Sequence, residues 1–303
     1  MNINKIRDGI SEVCNELKIN EPKVYEPNTV TNPGPKPIES IQEKIMRKDA
    51  EGKPVKNLGE LPDIFRCTTI CENFAETIDK ARKLDTVYPG YMGKVSEKIP
   101  GNGAKNGKSE SEYSLYFGQH LHGYGSYLGA RSEIQVATPE LYAVKQIADY
   151  FYRSTREFDS MRRKYESGEL STSGARLFRE LKEDYKKKTE YERRLFSLIR
   201  ENTDLEKQIE NIYAFYKDLV KRNADRKREL ALTPLTSALE MKFMDETGDI
   251  IKKRVRTALA GAEPHMPATQ KKLCQMVAGA GGSKIVKIDP LLAVTPKNGK
   301  SFV

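Results

Sequence analysis

Tryptophan is absent, histidine occurs three times and cysteine four times in the 303 residues, and each shortage removes a class of chemistry. Cys14, Cys67, Cys71 and Cys274 are too few and too scattered for a disulfide scaffold. Cys67 and Cys71 form C-x3-C, but no second ligand pair follows to complete a zinc pattern. Buried thiols in a reducing, cytoplasmic compartment are the expectation. His120 and His122 flank a glycine-rich turn and His265 lies between two prolines, so a Ser-His-Asp or Cys-His machine has no well-placed base. No run approaches the roughly 18–20 apolar residues that cross a bilayer, and residues 1–20 lack the basic-then-apolar order of a secretory signal. The expected chain is soluble, without a membrane partner and without a cleaved leader.

Charge is abundant and unevenly placed. Lys and Arg number 52 against 43 Asp and Glu, a formal net charge of +9. Residues 1–150 hold 20 basic and 21 acidic residues, so 151–303 hold the other 32 and 22 and carry +10. A mean hydropathy of −0.66 with 38% hydrophobic residues predicts a folded chain with a modest core.

The first half alternates pattern types. Residues 5–17 carry Ile6, Ile10, Val13, Cys14 and Leu17 at helical spacing, and a Pro/Asn-rich extended stretch follows over 21–37. Residues 40–48 form a short predicted helix with Ile41 and Ile45 inward and Lys44, Arg47 and Lys48 solvated. Residues 63–71, DIFRCTTIC, have the β-branched and aromatic content of a buried strand, and 73–84 return to helical spacing. Residues 89–111 are loop-like, with five glycines among lysines. Strands are expected over 112–121 and 129–138, joined as a hairpin by HGYGSYL. Thr138, Pro139 and Glu140 then make a cap, a first helical residue and a dipole-compensating acid.

From 153 to about 256 the pattern becomes long charged helices, divided at Gly168, Gly174, Asn202-Thr203-Asp204 and Pro234. Residues 204–220 carry an apolar stripe suited to packing in a bundle. Three units result: 1–153 mixed, 154–260 helical, and 261–303 a loose tail with one strand at 284–288.

Two carboxylates belong to the mixed half's strands, Asp63 at the start of one and Glu133 inside a later one. Carboxylates on adjacent strands can share a hard divalent cation that keeps part of its shell for substrate phosphates. Lys36, Lys44, Lys48 and Arg66 stand nearby in sequence, suited to phosphate oxygens. This combination points to phosphoryl or pyrophosphoryl transfer.

The order and wording of these pieces resemble the synthetase domain of the RelA/SpoT family of nucleotide pyrophosphokinases. Its Lys-x-x-x-Ser-Ile-x-x-Lys segment is matched by Lys36, Ser40, Ile41 and Lys44, its Asp-bearing strand by LPDIFRCTTI, and its EIQ-x-x-T strand by EIQVATPE at 133–140. The likeness covers roughly 36–153, and EIQ-x-x-T is its most specific part. It implies an α+β fold, a mixed β-sheet flanked by helices of the nucleotidyltransferase-like kind, followed by an α-helical C-terminal region. It implies that Asp63 and Glu133 hold Mg²⁺ on the ATP β,γ-phosphates and that Glu133 accepts the proton of an attacking 3′-hydroxyl. Lys36, Ser40, Lys44 and Arg66 would then serve the donor triphosphate, with Gln135 sharing a sheet face with Glu133. The family's base-stacking strand aligns with 112–121, placing Tyr116 on that strand and Tyr124 at the hairpin tip. Arg66 follows Asp63 by three positions where the family has five, and the family's strand histidine has no counterpart whether that strand is aligned with 112–121 or with GYGS at 123–126.

The resemblance implies an alarmone synthetase making (p)ppGpp-type products from ATP and GDP or GTP, and the lack of any H-x-x-x-H-D pairing implies synthesis only. Two alternatives remain. Some toxins of the family pyrophosphorylate the tRNA 3′ end, and the +10 half would suit an RNA backbone. The other alternative is a nucleotide-sensing or partner-binding module without catalysis. The helical half would supply a surface for a second copy or a protein partner.

Overall fold

The computed structural model describes residues 3–50, 52–55, 61, 63–87, 92–95, 119–124, 131–151, 158, 161–162, 164–202, 214, 257–287 and 297. Its first helix, α1 (Ile3–Leu17), buries Ile6, Ile10, Val13 and Cys14, the spacing that the sequence carries. β1 (Thr29–Asn32) lies within the stretch expected only to be extended. α2 (Ile38–Ala50) starts behind Pro37, whose carbonyl accepts from Ile41 N, and buries Ile41 and Ile45. β2 (Phe65–Ile70) and α3 (Phe74–Val87) follow where expected.

β3 (Met92–Val95) falls in the region read as loop. Its glycine and lysine hide a strand that pairs antiparallel with β4 (Gln119–Tyr124). β5 (Arg131–Ala137) runs into α4 (Pro139–Tyr150), whose cap is the expected one: Leu141 N donates to Thr138 Oγ1 at 3.4 Å.

The hairpin differs from expectation. β4 pairs with β5 from Leu121↔Ile134 to Tyr124↔Arg131, so Tyr124 is a strand residue and not a tip residue. Short arms that would fail alone suffice here, because β3 and β2 flank the pair and satisfy its outer edges. Of the expected strand at 112–121, residues 112–118, Tyr116 among them, lie outside the described residues.

The six strands form one mixed sheet in the order β3-β4-β5-β2-β1 and, at the edge, β6 (Lys284–Lys287). β1 is antiparallel to β2 and parallel to β6, while β2 is parallel to β5. The protein is thus α+β, a mixed sheet flanked by helices.

Residues 266–287, expected within a loose tail, are built into this core. After a short 3-10 turn (Glu263–His265), α6 (Met266–Gly281), numbered after the long helix α5 (Thr172–Asn202), lies along β1 and β2 and beside α3. It buries Met266, Leu273, Cys274 and Val277. Gly282 ends it at φ 62°, a conformation that glycine adopts without a Cβ penalty, and turns the chain into β6. Lys80 fastens the junction. Its side chain is only 3% exposed, and its ammonium donates to Asn28 Oδ1 (3.0 Å), Ser283 Oγ (3.2 Å) and Ile70 O (3.3 Å) and lies 3.4 Å from Glu76.

One hydrophobic cluster joins Val30, Phe65, Cys67, Ile134 and Val136 of the sheet to α1, α2, α3, α4 and α6, and all four cysteines are buried. α5 packs on α1 and α4, and a second, small cluster gathers Phe158, Phe178 and Leu181. Gly168 breaks the helix at φ 74°, as expected, whereas Gly174 is absorbed into α5. The apolar stripe of 204–220 lies outside the described residues apart from 214. Among the described residues no helix is long and apolar enough to cross a membrane.

Candidate functional site

Asp63 sits in the turn that feeds β2, two residues before the strand begins. Lys36 precedes α2 between two prolines, and its backbone N donates to Ile64 O at 2.8 Å, drawing the two segments together. The Lys36 ammonium then lies 2.6 Å from Asp63 Oδ2, and Lys44, two turns into α2, lies 2.6 Å from Oδ1. The three side chains are 17–19% exposed, so water screens them poorly. Burial pushes the Asp63 carboxyl up, but Lys44 and Lys36 outweigh it and hold the group below its ordinary range. For Lys44, burial is the larger influence and lowers its pKa despite Asp63, with Lys36 and Lys48 acting the same way. The sequence expectation of a solvated Lys44 is thereby corrected: α2 faces the β2 turn, and the ammonium is spent on Asp63.

Glu133 stands half-buried in β5, in parallel register with Arg66 of β2. Residues two apart on a strand share a face, so Arg66 and Thr68 line up beside Glu133 and Gln135. Thr68 Oγ1 donates to Gln135 Oε1 at 3.0 Å, and Gln135 Nε2 donates to Glu133 Oε1 at 3.0 Å. Thr31 Oγ1 donates to Thr68 O at 3.3 Å, tying the chain to β1. Gln135 is 8% and Thr68 5% exposed, so the relay that orients Glu133 is protected from water. His122 is the register partner of Glu133 on β4, a placement that the assigned 112–121 alignment could not show.

The structure therefore makes two groups from the expected residues. Lys36, Lys44 and Asp63 form one; Arg66, Glu133 and Gln135, joined by Thr68, form the other, and the three-residue step from Asp63 to Arg66 connects them. Ser40 is half-buried on α2 one turn before Lys44. Tyr124 closes β4 opposite Arg131. Among the described residues no group of three or more His, Cys, Asp or Glu is placed to hold a metal ion.

Sequence reasoning missed four participants. The Nε atoms of Arg47 and Arg66 are buried without a hydrogen-bond partner. Arg66 was expected at the site; Arg47, one turn beyond Lys44 on α2, was read as solvated. A buried guanidinium Nε–H without a partner is a donor that an oxyanion can satisfy. Lys145 of α4 is the second: burial works against its charge, but Asp149 at 2.5 Å, Tyr142 and Glu133 together raise its pKa. Thr68 and Gln270 are the others. A signal for Arg47 and Lys145 was available, since each lies one helical turn or two behind an assigned motif.

Compared with models of protein families, with curated proteins and with solved structures, the chain finds no match in any of the three.

Proposed function

We propose that the chain is an ATP-dependent pyrophosphokinase with a nucleotidyltransferase-like synthetase fold, transferring the β,γ-pyrophosphate of ATP to the 3′-hydroxyl of GDP or GTP. The observation that carries this reading is the basic nest of Lys36 and Lys44 around Asp63, three residues before Arg66, whose Nε–H is buried without a partner. Such a nest offers more donors than one carboxylate can use. A triphosphate supplies the missing acceptors.

In the reaction, Glu133 removes the proton from the 3′-hydroxyl while the oxygen bonds to the β-phosphorus. The bond from that phosphorus to the oxygen bridging it to the α-phosphate breaks, and AMP leaves with the electron pair. Gln135 and Thr68 keep Glu133 in one orientation, which lowers the cost of reaching the hydroxyl. Lys36, Lys44 and Arg66 neutralise the donor phosphates.

The donor set suits Mg²⁺, since Asp63 and Glu133 offer hard carboxylate oxygens. Asp63 can serve it once Lys36 and Lys44 turn from its oxygens to the phosphates. Held by these two carboxylates, Mg²⁺ would supply charge neutralisation for the β,γ-phosphates.

The test is incubation with γ-labelled ATP, Mg²⁺ and, separately, GDP, GTP, adenine nucleotides or bulk tRNA. AMP release with label on GDP or GTP is expected, and Glu133→Gln is expected to reduce turnover by about 10²-fold or more at unchanged Tm. Label on tRNA would move the acceptor to RNA. Neither AMP nor labelled product with any acceptor would leave a nucleotide-sensing module.

A further inference from the structure

β1 stops one residue too early for β2. The antiparallel register runs Thr29↔Ile70, Val30↔Thr69, Thr31↔Thr68, so the next rung on that side would set residue 33 against Arg66. Residue 33 is proline, which has no N–H to donate, and the chain turns away through Gly34, whose N donates to Asn32 Oδ1 at 3.1 Å. The N–H and C=O of Arg66 would face that gap unpaired, beside the turn that carries Asp63.

Gln270 fills it. Its side-chain amide accepts from Arg66 N at 3.1 Å and donates to Arg66 O at 2.6 Å, the two-point exchange that a strand residue would make. The second Nε2 hydrogen reaches Asn32 Oδ1 at 3.0 Å, and Cys274 Sγ lies 3.3 Å from the same nitrogen. Gln270 is 1% exposed, so these bonds do not compete with water. Two residues before Arg66, Lys36 N holds Ile64 O at 2.8 Å. The segment from Asp63 to Arg66 is thus held at Ile64 and at Arg66.

We propose that Gln270, from a helix outside the region of motif resemblance, is a positioning residue for Arg66, completing the ladder in place of β1 and so setting where the guanidinium meets donor phosphate. The backbone part stands on the geometry alone; the part about phosphate rests on the pyrophosphokinase reading. Gln270 touches no reacting atom. It acts through the Arg66 backbone.

Two measurements on the full chain separate these parts. Hydrogen exchange of the Arg66 amide is expected to accelerate by roughly tenfold or more in Gln270→Met, which keeps the side chain's bulk and removes both bonds. Unchanged Arg66 protection would overturn the proposal, whatever the protein binds. Calorimetric titration with a non-hydrolysable ATP analogue and Mg²⁺ is expected to give a Kd raised by about tenfold in Gln270→Met and by less than about twofold when the same change is made in Arg66→Ala. An equal factor in both backgrounds would mean general support of the fold and would overturn the positioning role. Cys274→Ala, on the same helix, is expected to lower Tm without moving Kd; a Kd shift there as large as that of Gln270→Met would overturn it as well. If Gln270→Met does not fold, Gln270→Asn, with the amide drawn back by one methylene, is put through both measurements under the same criteria. Should the wild-type chain bind no ATP analogue, the pyrophosphokinase reading falls, and the exchange result alone decides the role of Gln270.

Discussion

Lys44 and Asp63 meet at 2.6 Å in a pair whose partners benefit unequally. The carboxylate gains two cations and its pKa falls, whereas the ammonium loses more to burial than Asp63 returns and its pKa falls too. Asp63 is stabilised as an anion, whereas burial disfavours the charged form of Lys44.

The pH dependence follows from those directions. Asp63 has a folded pKa below its ordinary 3.8, so its contribution to stability is complete above that value and disappears as pH falls through the lowered one. Lys44 acts at the alkaline end: its cost is present at neutral pH and is relieved as pH rises from its lowered value towards 10.5. Asp63→Asn is expected to cost about 2 kcal/mol near pH 7, since it strands two part-buried ammonium groups, and to flatten the acid limb. Thermal melts of both proteins across pH check this; equal stability near neutrality contradicts it.

Thr68→Val tests the relay behind Glu133. The methyl group fills the volume of the hydroxyl but leaves Gln135 Oε1 without its donor at 3.0 Å. A loss of roughly 1 kcal/mol in stability is expected. Turnover is expected to fall several-fold with KM for ATP little changed, because Gln135 is then free to rotate away from Glu133. Steady-state kinetics decide it, and unaltered kcat would reduce the relay to a structural bond.

Gly9→Ala sets helix propensity against packing. In an isolated helix the change would stabilise by about 1 kcal/mol. Here the new Cβ would overlap Leu198 Cδ1, where α1 crosses α5. Overpacking of this kind costs about 1–3 kcal/mol, so a net destabilisation of roughly 1 kcal/mol is expected. Urea unfolding measures it; in a Leu198→Ala background the same substitution is expected to cost nothing further.

Local pattern carried the elements whose residues lie close together in the chain. Ile6, Ile10 and Val13 spell out α1, Thr138-Pro139 starts α4, and the β-branched run FRCTTI is β2. β3 was illegible because four residues containing a glycine and a lysine have no strand signature apart from their partner. The hairpin lies later in the chain than expected because its pairing is set within the sheet, where β3 and β2 flank its two arms.

For the site, sequence supplied the cast and not the pairings. Lys36, Lys44, Asp63, Arg66 and Glu133 could be named as candidates from residue type and order along the chain, and Gln135 from the motif resemblance, since both are local properties. That both lysines turn to Asp63, that Thr68 orients Gln135, and that Gln270 reaches a strand 204 residues away were decided by the tertiary structure. Each of those contacts depends on sheet register and on which helix covers which strand, and burial then sets their strength. No spacing in a linear chain encodes the distance between segments that only packing brings together.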